Sequence, residues 1–144
     1  MEEKAFDPLR LENQLCFPLY ACSRQVVKTY HPFLEELDLT YTQYIAMMLV
    51  WEAERISART MGERLFLDSG TLTPVLKSLE AKGFVRRCRD TRDERVLMVE
   101  LTEEGRALRE RAASVPGKIA GCINLSPEEA GELYRLLYKI LGDN

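Results

Sequence analysis

The stretch SARTMGERLFLDSGTLTPVLKSLEAKGFVRRCRDTRDERVLMVEL, residues 57–101, decides how this chain folds. Ser57 can cap a short helix over residues 58–65, where Met61 and Leu65 stand four apart on one face and Gly62 permits close approach of another helix. Leu67, Asp68, Ser69 and Gly70 read as a turn. A second helix follows over Thr71–Lys82, with Leu72, Val75, Leu76 and Leu79 on one stripe and Gly83 placed to end it. Pro74 would damage a helix interior, so this helix is expected to start near Thr71, with Pro74 in its first turn. Two short helices joined by a tight turn make a helix-turn-helix. Thr71, Thr73 and Lys77 then point away from the apolar stripe, toward solvent or a groove.

Beyond Gly83 the period changes. Residues 84–89 and 96–101 are β-branched or alternating runs of strand length, separated by the charged segment Asp90–Arg95. A hairpin directly after the second helix is the wing of a winged helix-turn-helix. In that arrangement Arg92 or Arg95 at the tip enters a minor groove while Thr71, Thr73 and Lys77 face the major groove, and Arg89 completes the candidate DNA-contacting set. Charge follows the same plan. Residues 55–95 hold ten basic against six acidic side chains, a local +4 that leaves −7 for the rest of a chain whose formal net charge is −3. A basic middle between acidic ends suits a module with one surface for phosphates; a solvated charged face or a winged-helix protein-interaction module fits the same count.

Outward from this module, 144 residues with 46% apolar and 30% charged side chains fit one domain with its own core. The longest apolar run, Tyr44–Trp51, stops at Glu52, well short of the roughly 20 residues a membrane span needs. Glu2, Glu3 and Lys4 precede no apolar stretch, so no signal peptide and a cytoplasmic location are expected. Four cysteines, at positions 16, 22, 88 and 122, have no C-x-x-C spacing and are expected as free thiols. With one histidine, His31, and no H-E-x-x-H, G-x-S-x-G, Walker or G-x-G-x-x-G motif, neither a metal, a cofactor nor an enzyme activity is expected.

The flanks read as helices: residues 9–31, 42–52, 103–113 behind Thr102, and 127–141 behind the capping box Ser126-Pro-Glu-Glu129. Leu133, Leu136, Leu137, Ile140 and Leu141 give the last one more apolar surface than an isolated terminal helix hides. Such helices either cover the monomer core or pair across a two-fold axis, which would present two recognition helices to a pseudo-palindromic site. The expected architecture is therefore mainly α with a small β wing: one winged-helix domain over residues 1–144, with a DNA-binding module at about 55–101 between dimerisation helices at about 7–35 and 103–144.

Four strings, LENQLCFPLY (11–20), LTYTQY (39–44), LDSGTLTP (67–74) and DER (93–95), resemble the MarR family of winged-helix repressors, and within it the organic hydroperoxide regulators. The resemblance spans nearly the whole chain. It implies a homodimeric repressor of double-stranded DNA, released from its operator when an organic hydroperoxide oxidises a cysteine. The family's peroxidatic cysteine falls on Cys16, the two tyrosines that hydrogen-bond it on Tyr30 and Tyr41, and its wing-tip pair on Asp93 and Arg95. Cys122 lies close to where the two-cysteine members carry their resolving thiol.

The chemistry is consistent with those roles. The thiolate is the nucleophile that attacks a peroxide bond, and Cys16 stands near the start of the first helix, where the macrodipole favours an anion. Phenol hydroxyls from Tyr30 and Tyr41 would stabilise that anion in an apolar pocket lined by Leu15 and Phe17. A cysteine on an amphipathic helix is also ordinary core filling, the reading given to Cys22 and open for Cys122, while Cys88 sits in the wing strand. Pro18 departs from the family's pattern: it removes an N–H bond to the Gln14 carbonyl, so the first helix is expected to kink there or begin late. Two other functions use the same residues: a regulator that binds a lipophilic or phenolic ligand with Cys16 as passenger, and a thiol peroxidase, which the absence of a βαβ pattern disfavours.

Overall fold

The structure, a computed structural model, describes residues 5–142; Glu2, Glu3 and Lys4, on which the absence of a signal peptide was read, lie outside the described residues. In order the chain forms α1 (Cys16–Glu35), α2 (Tyr41–Ala53), β1 (Arg55–Ser57), α3 (Ala58–Leu65), α4 (Ser69–Ala81), β2 (Val85–Arg89), β3 (Leu97–Leu101), α5 (Glu103–Ala112), α6 (Val115–Ala120) and α7 (Pro127–Leu141). The expected architecture, mainly α with a small β wing, is what forms. Among the described residues no helix is long and apolar enough to cross a membrane.

The caps explain the boundaries. Thr40 and Gln43 form a reciprocal capping box at α2, Ser57 accepts from the Thr60 N–H at α3, and Ser126 with Glu129 opens α7. At α4 the cap is Asp68, whose carboxylate accepts from the Thr71 N–H at 2.7 Å. The helix therefore starts at Ser69, two residues before the expected Thr71, and Ser69 and Gly70 belong to it rather than to the turn. Pro74 consequently lies inside α4, not in its first turn. The turn itself is tightened by Phe66, which takes the left-handed conformation (φ 55°) that usually falls to glycine.

The N-terminal helix also differs from expectation. Instead of a helix from residue 9, Leu11–Asn13 make one 3-10 turn and Gln14 is extended. Side chains hold this segment: the Asn13 amide donates to the Asp7 carbonyl and the Gln14 amide to the Pro8 and Arg10 carbonyls, each at 2.7 Å. α1 thus begins late, at Cys16, which puts Pro18 in its first turn, where the missing N–H has no helical partner to lose. The helix then runs through Pro32 to Glu35.

Sequence periodicity missed β1, a strand of three residues, and the short α6. β1 pairs with the wing: the sheet order is β1-β3-β2, all antiparallel, with Ile56 opposite Val99 and Arg87 opposite Val99 from the other side. The core lies between α2, the α3–α4 pair, the sheet and α5, where Met47, Val50, Met61, Leu72, Leu76, Leu79, Val85, Val99 and Leu108 are buried. α5 is locked against the hairpin at Gly105. The Trp51 indole donates to the Gly105 carbonyl at 2.8 Å, and a Cβ at that position would stand 2.2 Å from the Phe84 carbonyl oxygen. Gly105→Ala is therefore expected to lower stability by about 1–3 kcal/mol, read from urea unfolding at fixed protein concentration; an unchanged midpoint would show that α5 approaches the hairpin less closely.

Candidate functional site

Two surfaces collect the candidate residues. The first is the outward face of α4 with the wing. Thr71, Thr73 and Lys77 are exposed, as are Arg89, Arg92 and Arg95, while Asp93 is half-buried. Burial of Leu72, Leu76 and Leu79 turns the opposite face outward. Of the ten basic residues between positions 55 and 95, seven form ion pairs: Arg55, Arg59, Arg64, Lys82, Arg86 and Arg87 with carboxylates elsewhere, and Arg95 with Asp93. Lys77, Arg89 and Arg92 have no ion pair among the described residues. Within this segment, the cations left without a carboxylate partner are the three on this surface.

Arg95 is exposed to 90%, yet its guanidinium is held by both Asp93 oxygens, at 3.0 and 3.2 Å, and the hydrogen bonds keep the Asp93 carboxyl below the usual range. Asp93 therefore presents Arg95 in one extended pose. Residues that sequence reasoning missed fix the wing to α4. The Glu80 carboxylate accepts from the Arg87 N–H at 2.7 Å and from its guanidinium at 3.1 Å, which depresses its own titration. Glu100 on β3 holds both Arg55 and Arg86. No periodicity marks these partners, because each pair spans two elements.

The second surface surrounds α1. Tyr30 and Tyr41 meet with ring centroids 4.9 Å apart, and Tyr44 joins them at 5.7 and 6.4 Å. Burial pushes all three phenols above their ordinary value, so they stay protonated donors. Cys16 is exposed at the first position of α1, with no side-chain cap on that terminus. The structure does not bring it to the tyrosines within one chain: fourteen residues of helix separate Cys16 from Tyr30, about 21 Å. Nor does one chain build the expected apolar pocket, since Leu15 is 85% exposed; Phe17 instead lines a groove beside α1 with Tyr20, Val27, Leu34, Leu39 and Tyr41. Cys22 is exposed on α1 rather than packed, and Cys88 hydrogen-bonds Glu100 at 3.5 Å. Cys122 is exposed just after α6, a helix that docks on the far half of α1 through the Lys118 ammonium over the Phe33 ring. Among the described residues no cluster of His, Cys, Asp and Glu could hold a metal ion.

Comparison with known proteins gives the relatives of this chain. The family described as transcriptional regulator SarA/Rot matches residues 28–111. The organic hydroperoxide resistance transcriptional regulator of Bacillus subtilis (strain 168) is 48% identical and covers 96% of this chain and 95% of its own. Among solved structures, reduced AbfR bound to DNA, a Staphylococcus epidermidis protein, superposes with a TM-score of 0.78 at 34% identity over 92% of each chain. Disulfide-formed AbfR superposes at 0.66 with 36% identity over 92% of this chain and 93% of its own.

The tyrosine cluster has a measurable pH signature. With the folded phenol values above the unfolded value near 10, the stability this contributes is complete below pH 10 and is lost as pH rises through the raised values. In a 295 nm titration, Tyr30→Phe and Tyr41→Phe should each remove a component that ionises above pH 10; loss of one ionising below 10 would contradict the buried arrangement.

Proposed function

This chain belongs to the MarR-type winged-helix regulators, in the branch of the SarA/Rot and organic hydroperoxide regulators, and from that membership we propose that it is a homodimeric DNA-binding repressor in the cytoplasm that reads organic hydroperoxides through Cys16. The observation that carries this is the separation of the thiol from its phenols. Among the described residues Cys16 has no hydrogen-bond or ion-pair partner, Tyr30 and Tyr41 offer donors about 21 Å away along α1, and the faces beside both are apolar and uncovered: Leu15, Phe17, Tyr20 and Val27 on or next to α1, and Leu133, Tyr134, Ile140 and Leu141 on α7, which buries none of its residues. A second copy, pairing these helices antiparallel, covers the apolar surface and sets Cys16 of one subunit against the tyrosines of the other.

In that composite site the phenols donate to the thiolate and the helix terminus favours its charge. The sulfur attacks the terminal oxygen of R–O–O–H, the O–O bond breaks, and sulfur keeps the hydroxyl as a sulfenic acid while the alkoxide takes a proton and leaves as the alcohol. Sulfur loses two electrons and the peroxide gains them. The Cys122 thiol then displaces water from the sulfenic acid to give a disulfide. Within one chain that bridge would span most of the roughly 26 Å of helix from Cys16 to Phe33, where α6 docks, so it joins two subunits. Both outcomes disturb the helices that set the spacing of the two DNA modules, and a dimer that must fill successive major grooves loses its operator when that spacing changes. On the DNA side, Thr71, Thr73 and Lys77 face the major groove, and Arg89, Arg92 and Arg95, the last steadied by Asp93, meet the backbone and minor groove.

Arg95→Ala should weaken specific binding by about 1–3 kcal/mol in a fluorescence-anisotropy titration, leaving the dimer folded. Cys16→Ser should bind operator normally and ignore organic hydroperoxide; release equal to wild type would favour the ligand-binding regulator, whose ligand would take the groove beside α1. A mixed dimer of one Cys16→Ser subunit with one Tyr30→Phe/Tyr41→Phe subunit keeps one complete site only if that site is shared between subunits. Its remaining Cys16 should react at the wild-type rate by mass spectrometry, and slow reaction would show that thiol and phenols act within one chain.

A further inference from the structure

Gln43 is the one polar side chain buried in the core of the described residues, 7% exposed, and it joins three elements at one amide. Its Oε1 accepts from the Thr40 N–H at 3.0 Å and from the Lys82 ammonium at 3.1 Å, and its Nε2 donates to the Ser78 hydroxyl at 2.9 Å. Lys82 also donates to the Asp38 carbonyl at 2.5 Å. Asp38 holds a left-handed conformation (φ 55°) in the loop between α1 and α2, Thr40 caps the helix whose first residue is Tyr41, and Ser78 and Lys82 belong to the C-terminal end of α4.

We propose that Gln43, with Lys82, is the positioning pair that couples the sensing tyrosines to the recognition helix. This rests on the redox-repressor reading. An apolar side chain of similar size would fill the site without the desolvation that a buried amide carries, so the amide is a poor choice for packing alone. Hydrogen bonds differ from apolar contacts in range and direction. Leu76 and Leu79 can slide against α2 by a fraction of a side chain and stay buried, whereas the Gln43 bonds hold only at one setting of α2 against α4. Tyr41 stands beside the Thr40 cap, so displacement of its ring by an oxidised Cys16 moves the start of α2, and Gln43 passes that movement to Ser78 and Lys82. The result is a changed tilt of α4, whose outward face carries Thr71, Thr73 and Lys77.

The test uses the full-length dimer with operator DNA and cumene hydroperoxide. Wild type, Gln43→Leu, Lys82→Met and Lys82→Arg are compared for operator affinity before and after oxidation, with the Cys16 product measured by mass spectrometry. The expected result is that all four oxidise at Cys16 alike and bind operator comparably when reduced, while Gln43→Leu and Lys82→Met lose about fivefold or more of the oxidation-dependent drop in affinity and Lys82→Arg retains it. A purely structural role would lower thermal stability without changing the ratio of the two affinities. If Gln43→Leu does not fold, Lys82→Met, altered at the accessible end of the network, decides the matter. Release in Lys82→Met equal to wild type overturns the coupling. Wild type that keeps its operator after Cys16 is oxidised overturns the repressor reading and the coupling together.

Discussion

Burial of one stripe of α4 is the constraint on which the rest of the structure depends. Leu72, Leu76 and Leu79 are sunk against α2, α3 and the sheet, each worth about 1.5–3 kcal/mol when fully withdrawn from water. That burial fixes the rotation of the helix about its axis, and the rotation decides which side chains remain outside. Thr71, Thr73 and Lys77 are available to a groove because their neighbours are not. The hairpin inherits its position from the same helix, through the Gly83 turn and the Glu80–Arg87 bonds. The proposed DNA surface is thus a by-product of core packing, held in place by ion pairs between elements.

Those ion pairs also sort the charges. A segment with ten basic residues is not a uniformly basic surface, because seven of its cations are paired with carboxylates, five of them on adjacent elements. Exposed pairs of this kind add little stability, about 0–1 kcal/mol each. Their larger effect is on distribution: within residues 55–95 they leave uncompensated positive charge at Lys77 on α4 and at Arg89 and Arg92 on the wing, the surface proposed to meet phosphates.

A rigid helix imposes the second large consequence. Because α1 runs unbroken from Cys16 to Glu35, a thiol at its start and a phenol on its fourth turn are kept apart in one chain whatever the loops do. The same helix and α7 leave apolar faces bare. Chemistry and surface burial therefore point to the same remedy, a second copy, and in the proposed reading sensing is tied to the subunit arrangement that also sets the distance between the recognition helices.

The order of elements was legible in the sequence wherever a local rule acts. Ser57, Thr102 and Ser126 cap the helices they were expected to cap, because a cap is settled by four adjacent residues, and the hairpin strands begin within one residue of the change in period. Local signals also compete: Asp68, itself a good cap, opens α4 two residues before Thr71, and Asn13 and Gln14 hold an N-terminal turn where a helix was expected. Long-range pairing decided the rest, since β1 exists only because β3 offers it an edge. The candidate site divides the same way. Sequence pointed to Cys16, Tyr30, Tyr41 and the wing arginines as single residues; tertiary structure decided that the tyrosines meet, that Cys16 does not reach them in its own chain, and that Gln43 joins α2 to α4. Spacing along a chain encodes faces and caps, whereas contacts between residues dozens of positions apart follow from packing, which no local pattern records.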